Sequence, residues 1–162
     1  VPVDVPAIYA QSWRAMVRLA VLLVDDVATA EDVVRDAFVA LHRHQHRLRD
    51  PDAAVGYLRM SVLNLSRSVL RRRVVARRHL RAAEPERAEG ADYHALLSGE
   101  HRQALGAVRQ LPRRQREVLI LRYWSGPSEK EIAQTLGISP GAVKSTASRG
   151  LAAVKRTLGG LA

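Results

Sequence analysis

Four side chains near the C-terminus, Lys144, Ser145, Ser148 and Arg149, combine hydrogen-bond donors with a spacing that places them on one side of a helix. Lysine and arginine can donate to guanine O6 and N7 or to a phosphate, and serine to either. A bidentate contact of that kind carries roughly 1–3 kcal/mol of discrimination against the wrong base. Ser139 opens the same segment. A second constellation lies in the first half, where Met60, Asn64, Arg67 and Arg71 share a helical face that runs into Arg72 and Arg73. Cations that track a backbone, beside an amide able to hydrogen-bond an unpaired base, suit melted nucleic acid. A third is acidic. Asp32 and Asp36 stand at i, i+4 spacing with Arg35 between them, a face suited to a basic partner.

All three are recognition chemistry, and catalysis has no support beside them. The chain has no glycine-rich phosphate loop and no nucleophile motif, so no catalytic residue and no cofactor is expected. It has no cysteine, which excludes disulfides and thiolate metal sites. Only His42 and His46 of the cluster His42, His44 and His46 share a helix face, and a solvated helix end near DNA is favoured there over a metal site. The net charge is +10, and its placement says more than its size. Residues 1–70 carry 8 Lys/Arg against 8 Asp/Glu, residues 71–100 carry 7 against 5, and residues 101–162 carry 11 against 3. The excess concentrates where the first constellation lies, as nucleic-acid contact requires. Leu19 to Val24 is a short apolar run stopped by Asp25-Asp26, and no basic segment precedes an apolar one at the start. A cytoplasmic protein without membrane insertion is the expectation. The first residue is Val, so some trimming of the N-terminus is expected.

The elements that must position these residues are helices. Aromatics are scarce and strand-like runs with hairpin turns are missing, so the expected class is all-α, with a core of Leu, Val, Ile and Ala. The spacing predicts a first helix over 8–24, with Trp13, Val17, Ala20 and Val24 recurring along it. After Asp25-Asp26-Val27-Ala28 a second follows, capped at Thr29 and striped by Val33, Val34, Ala37, Phe38 and Leu41. Asp50-Pro51 opens a third as cap and first residue, with Val55, Leu58, Val62, Leu65 and Val69 as its core stripe. Residues 74–100 change character, with arginines among Glu, Pro and Gly, and read as a flexible linker that is partly helical at its ends. The expected organisation is therefore two small helical domains, 1–73 and 101–162, on a tether. In the second, helices over 104–110 and 113–124 precede Ser128-Glu129-Lys130-Glu131, a capping box. Ala133 supplies a small residue where two helices cross and Gly137 the tight turn, the pattern of a helix-turn-helix. Its second helix, capped by Ser139-Pro140, buries Val143, Ala147, Leu151 and Val154. Such a helix can lie in the major groove.

Leu111 to Leu119, followed by Glu131-Ile132-Ala133, Leu136-Gly137-Ile138-Ser139 and Gly141-Ala142-Val143-Lys144-Ser145, resembles the C-terminal domain of extracytoplasmic-function sigma factors of bacterial RNA polymerase. The resemblance implies a domain that reads the −35 promoter element, through Ser139, Lys144, Ser145, Ser148 and Arg149, and packs on the flap of the polymerase β subunit. The chain has Thr146 where the family often has Arg, and Pro127 before the capping Ser is unusual. The same segment also resembles the helix-turn-helix of response regulators of the quorum-sensing activator type, so the first half must decide.

There, Ala30 to Phe38 resembles the sigma segment that grips the β′ clamp helices, which makes Asp32, Arg35 and Asp36 the implied contacts to core polymerase. Tyr57 through Asn64 to Arg72 resembles the helix for the −10 element, implying Tyr57, Arg59, Asn64, Arg67, Arg71 and Arg72 as contacts to promoter DNA. Tyr57 stands where the family usually has Trp, and Ser68 where it frequently has Asp. The family's base-capturing loop falls at about Arg47 to Ala53 and lacks an aromatic. The resemblance further implies that the linker runs through the polymerase cleft and that an anti-sigma factor supplies control. The expected function is an alternative sigma factor. Two other readings are a DNA-binding regulator that acts without joining polymerase and a protein-only adaptor with an incidental basic face.

Overall fold

The computed structural model describes residues 2–79 and 99–160, and among these every regular element is helical. The chain divides into two compact units, residues 1–91 and 92–162. Most of the expected linker, residues 80–98, lies outside the described residues.

In the first unit, α1 (Val5–Val24), α2 (Val27–His44) and α3 (Pro51–His79) pack against one another, with a short 3-10 turn at Gln45–Arg47. Helix α1 starts earlier than the spacing predicts because Asp4 caps it, accepting from the Ala7 N–H at 3.2 Å. Its principal core stripe is Ile8, Ser12, Met16, Leu19 and Leu23. The expected stripe of Trp13, Val17, Ala20 and Val24 joins the core fully only at Ala20 and Val24. By length and composition α1 could cross a membrane, more than its apolar run suggested, but its apolar side is occupied in packing on α2 and α3.

The corner between α1 and α2 corrects the expected cap. Asp25 takes the left-handed conformation at φ 63° and donates its N–H to the Val21 carbonyl, ending α1. Asp26, not Thr29, is the cap of α2, and it accepts from the Thr29 N–H at 3.0 Å and from the Thr29 hydroxyl. The helix therefore begins at Val27, with Thr29 inside its first turn. Val33, Val34, Ala37, Phe38 and Leu41 are buried as the spacing predicts.

Asp50 caps α3 as expected, accepting from Ala53 N–H at 2.7 Å. The helix continues past the expected boundary at Arg73 to His79. Its buried line is Ala54, Leu58, Val62 and Ser66, flanked by Arg59 and Leu63, so Val55, Leu65 and Val69 sit at the half-buried margin. Arg73 reaches back 49 residues to the Val24 carbonyl and also donates to Thr29 Oγ1 at 3.4 Å. One guanidinium thus ties the end of α1 and the start of α2 to the far part of α3.

The second unit is built from α4 (Gly99–Arg109), α5 (Arg113–Ile120), a π-helical turn at Leu121–Ser125, α6 (Glu129–Leu136) and α7 (Pro140–Gly159). Helix α7 is the common partner of the other three helices. Leu105, Val108, Val118, Leu119, Ile120, Leu121, Ile132, Val143 and Val154 make the core. Burying a side chain of this kind contributes about 1.5–3 kcal/mol. At Gly150 α7 passes close to α5, since a Cβ there would lie 3.1 Å from Leu119 Cδ1.

Candidate nucleic-acid interface

Ser128 and Gly137 set the geometry of the helix-turn-helix. The Ser128 hydroxyl accepts from the Glu131 N–H at 3.2 Å and donates to the Glu131 carboxylate at 3.0 Å, fixing the start of α6. Gly137 ends it at φ 67°, a conformation that costs a residue with a Cβ roughly 1–2 kcal/mol. The Ile138 N–H then returns to the Ala133 carbonyl at 3.1 Å, and Arg114 donates to the Leu136 carbonyl at 3.2 Å. With the freed carbonyls satisfied, the chain turns directly into Ser139, whose hydroxyl caps α7 by accepting from Ala142 N–H at 3.1 Å.

This turn leaves all five expected residues on the outside. Ser139, Lys144, Ser145, Ser148 and Arg149 are exposed, while Val143, Thr146, Ala147 and Gly150 of the same helix are buried. Ser139 spends its acceptor on the cap and keeps a hydroxyl donor. Ser145 donates to the Ala142 carbonyl at 3.2 Å, and Arg149 lies 3.5 Å from the buried Thr146 hydroxyl. Lys144 faces a residue that the spacing did not flag: Glu129, whose carboxylate lies 3.9 Å from its ammonium and 3.7 Å from Arg122. The signal available in the sequence was that only three acids occur in residues 101–162. Which cation each would meet depends on the crossing of α6 and α7.

On α3 the expected face is mostly present. Asn64, Arg71 and Arg72 are exposed, and Arg67 is half-buried, donating to Asn64 Oδ1 at 3.3 Å. That bond leaves the Asn64 amide N–H₂ as the donor toward a base. Arg71 donates to the Ser68 hydroxyl at 3.1 Å. Tyr57 is half-buried, its ring tilted against that of His44, with its hydroxyl 3.0 Å from His44 Nδ1. His44 is therefore a packing residue rather than part of a solvated cluster. Among the described residues no group of three or more His, Asp or Glu is placed to hold a metal ion. Arg59 is corrected: it is only 9% exposed, because helical geometry carries it beside Leu63 and Ser66 on the buried side. It belongs to the packing of the first unit, not to an open face. Around the start of α3, Arg47, Arg49 and Asp50 to Ala53 are exposed.

The acidic face of α2 is exposed as expected, at Asp32, Arg35 and Asp36. Arg35 is more engaged than its spacing alone implies. It pairs with Asp32 at 3.1 Å and Glu31 at 3.4 Å, and its guanidinium lies 5.8 Å from the centroid of Trp13. Trp13 in turn stacks with Tyr9, and both rings adjoin Phe38. Val39, 49% exposed, stands one turn beyond Asp36 and leaves an apolar side chain beside that face which the charge pattern concealed.

Buried at the α1–α2 corner, the Asp26 carboxyl is pulled two ways. Burial works to raise its pKa, but hydrogen bonds from the Thr29 hydroxyl and the Thr29 and Ala28 amides, with the Arg73 charge, hold it below the ordinary carboxylate value.

Residues 101–154 match the family model described as Sigma-70, region 4. The probable RNA polymerase sigma factor RfaY of Xanthomonas campestris pv. campestris is 33% identical over 150 residues, covering 86% of this chain and 36% of that protein. The RNA polymerase sigma-E factor of Streptomyces avermitilis is 31% identical over 148 residues, 89% of this chain and 79% of that protein. The RNA polymerase sigma factor CarQ of Myxococcus xanthus is 31% identical over 146 residues, 86% and 80% of the two chains. The chain thus spans about a third of the Xanthomonas protein but most of the other two. Among solved structures, CnrH in complex with the cytosolic domain of CnrY superposes with a TM-score of 0.70 at 24% identity, over 96% of this chain and 88% of that one. The sigma factor RpoE of Bartonella quintana, crystallised with the anti-sigma factor NepR, gives 0.70 at 23% identity, over 93% of each chain. At that identity the two structures establish the likeness of fold.

Proposed function

The chain belongs to the extracytoplasmic-function sigma factors of bacterial RNA polymerase, and from that premise we propose how its residues divide the work of initiation. As an alternative sigma factor it joins core polymerase and directs it to promoters, and the polymerase performs the chemistry. The observation that carries this reading is that the likeness to sigma factors runs through both units, 86–89% of the chain, and not through residues 101–154 alone. A helix-turn-helix regulator that acts without polymerase would need only the second unit.

In this proposal α7 lies in the major groove of the −35 element, with Lys144, Ser145, Ser148 and Arg149 toward base edges and phosphates. The α3 face of Asn64, Arg67, Arg71 and Arg72 meets the −10 element as it melts, cations on the backbone and the Asn64 amide toward an unpaired base. Tyr57, held by His44, would border that site. The acidic face of α2, Asp32 and Asp36 with Val39 beside them, docks the β′ clamp helices. The second unit would also pack on the β flap. Its place of work is then the cytoplasm, and the two solved relatives with bound partners support an anti-sigma factor as the controlling partner.

Run-off transcription with purified core polymerase on a library of promoter fragments tests the assignment. The intact chain is expected to produce promoter-specific transcripts. The pair Asp32→Arg/Asp36→Arg should abolish them by preventing assembly. The pair Lys144→Ala/Arg149→Ala should leave assembly intact and weaken transcription. A chain that binds duplex DNA but never joins core polymerase would return the regulator reading.

A further inference from the structure

The second unit holds three acids in residues 101–162, and the structure gives each a different position. Glu117 is buried at 2% exposure and pairs with Arg113. Glu131 closes the capping box with Ser128. Glu129 stands in the first turn of α6, and its carboxylate reaches two cations from other elements. One oxygen lies 3.7 Å from Arg122, in the π-helical turn, and the other 3.9 Å from Lys144, on the exposed side of α7. The Arg122 guanidinium is itself 5.8 Å from the Tyr123 ring centroid.

Both ion pairs are solvated, with Lys144 72% exposed, so their contribution to folding is small. Their consequence lies in direction. A lysine is a point charge on a flexible stem, and beside DNA it is drawn first to phosphate, where the negative charge is densest. A carboxylate anchored from the far side by Arg122 offers that ammonium a fixed competing position near the start of the recognition helix. The same carboxylate repels phosphate, which disfavours the non-specific mode. We infer that Glu129 is a positioning residue for promoter reading: it holds Lys144 toward base edges and away from the phosphate backbone, and so sets how much sequence preference that lysine delivers. This deepens the proposed role of α7 and rests on it.

The test uses the full chain assembled with core polymerase and a duplex library randomised over the upstream element, with bound sequences read out by sequencing. The salt dependence of affinity is then measured on one selected duplex. Glu129→Gln keeps shape and removes charge. It is expected to reduce base preference at one position by roughly five-fold, the lower end for a specific contact. It should also steepen the slope of log affinity against log salt by about one, as Lys144 moves to a phosphate. In a Lys144→Ala background the same substitution should leave the base preferences unchanged. A helix merely weakened by losing Glu129 would show a lower melting temperature without a steeper salt slope, and that result overturns the proposal. So does a change of base preference that persists in the Lys144→Ala background, which would mean that Glu129 reads a base itself. If Lys144→Ala alone leaves all base preferences unchanged, the base-reading role of Lys144 fails and takes this proposal with it. If Lys144→Ala erases a preference while Glu129→Gln is silent, only the proposal fails.

Discussion

Asp26 and Arg59 show how burial decides what a charged residue does. The folded state lowers the Asp26 pKa, so its contribution to stability is present above the unfolded value, near 3.8, and is lost as pH falls through the folded one. Asp26→Ala removes a helix cap and should cost about 0.5–2 kcal/mol near neutral pH. The gap between wild type and variant, followed by urea unfolding, should close as pH falls into the acid range. Arg59 carries a cation into the packed side of α3. Its replacement by Ala is expected to lower the melting temperature of the chain while leaving promoter preference in a sequencing-based selection unaltered. By contrast, Asn64→Ala should leave the melting temperature near wild type and reduce open-complex formation, measured by permanganate reactivity of unpaired thymines. The two residues are five apart on one helix. Sequence reading assigned both to DNA, Asn64 from its helical face and Arg59 only through the resemblance of residues 57–72 to a −10 helix, while the core stripe was drawn through Val55, Leu65 and Val69 rather than through Ala54, Leu63 and Ser66. Small and polar residues that become buried leave no hydrophobic signal.

At the scale of elements, the helix-turn-helix was readable almost completely, and the reason is local. Ser128, Gly137 and Ser139 act within a few residues of themselves, so their chemistry is written in adjacent letters. Gly150 is the opposite case. It looks like a helix-breaking residue in the middle of α7, yet it is a point at which α7 approaches Leu119 and Gln115 of α5, and only the packed structure shows how little room a side chain has there. Gly150→Ala would gain helix propensity of about 1 kcal/mol in an isolated helix. Here its Cβ meets Leu119 at 3.1 and 3.3 Å, so Gly150→Val, which is larger still, should overpack the contact and cost roughly 1–3 kcal/mol. Thermal denaturation followed by circular dichroism would measure it. Gly137→Ala should cost about 1–2 kcal/mol by a different route, the strain of a positive φ, with no crowding at all.

Over the whole molecule, a charge ledger by residue range hides where the charges meet. The neutral first half conceals an acidic face on α2 and a cationic one on α3, which cancel in the sum but not in space. Helix α3 is described as far as His79, within the stretch expected to be a linker with helical ends, and arginine, a good helix former, suits that continuation. What no composition could reveal was the inward turn of Arg73. Three consecutive arginines look interchangeable, yet Arg71 and Arg72 face solvent while Arg73 is fastened to the Val24 carbonyl. That fastening locks the rotational phase of α3: each residue advances about 100° around a helix axis, so a single inserted alanine between Asn64 and Arg71 could not keep both the Arg73 anchor and the azimuth of Asn64 relative to Arg71 and Arg72. The spacing from Asn64 to Arg73 is thus a ruler as well as a surface, and deletions or insertions within it should be tolerated far less than substitutions.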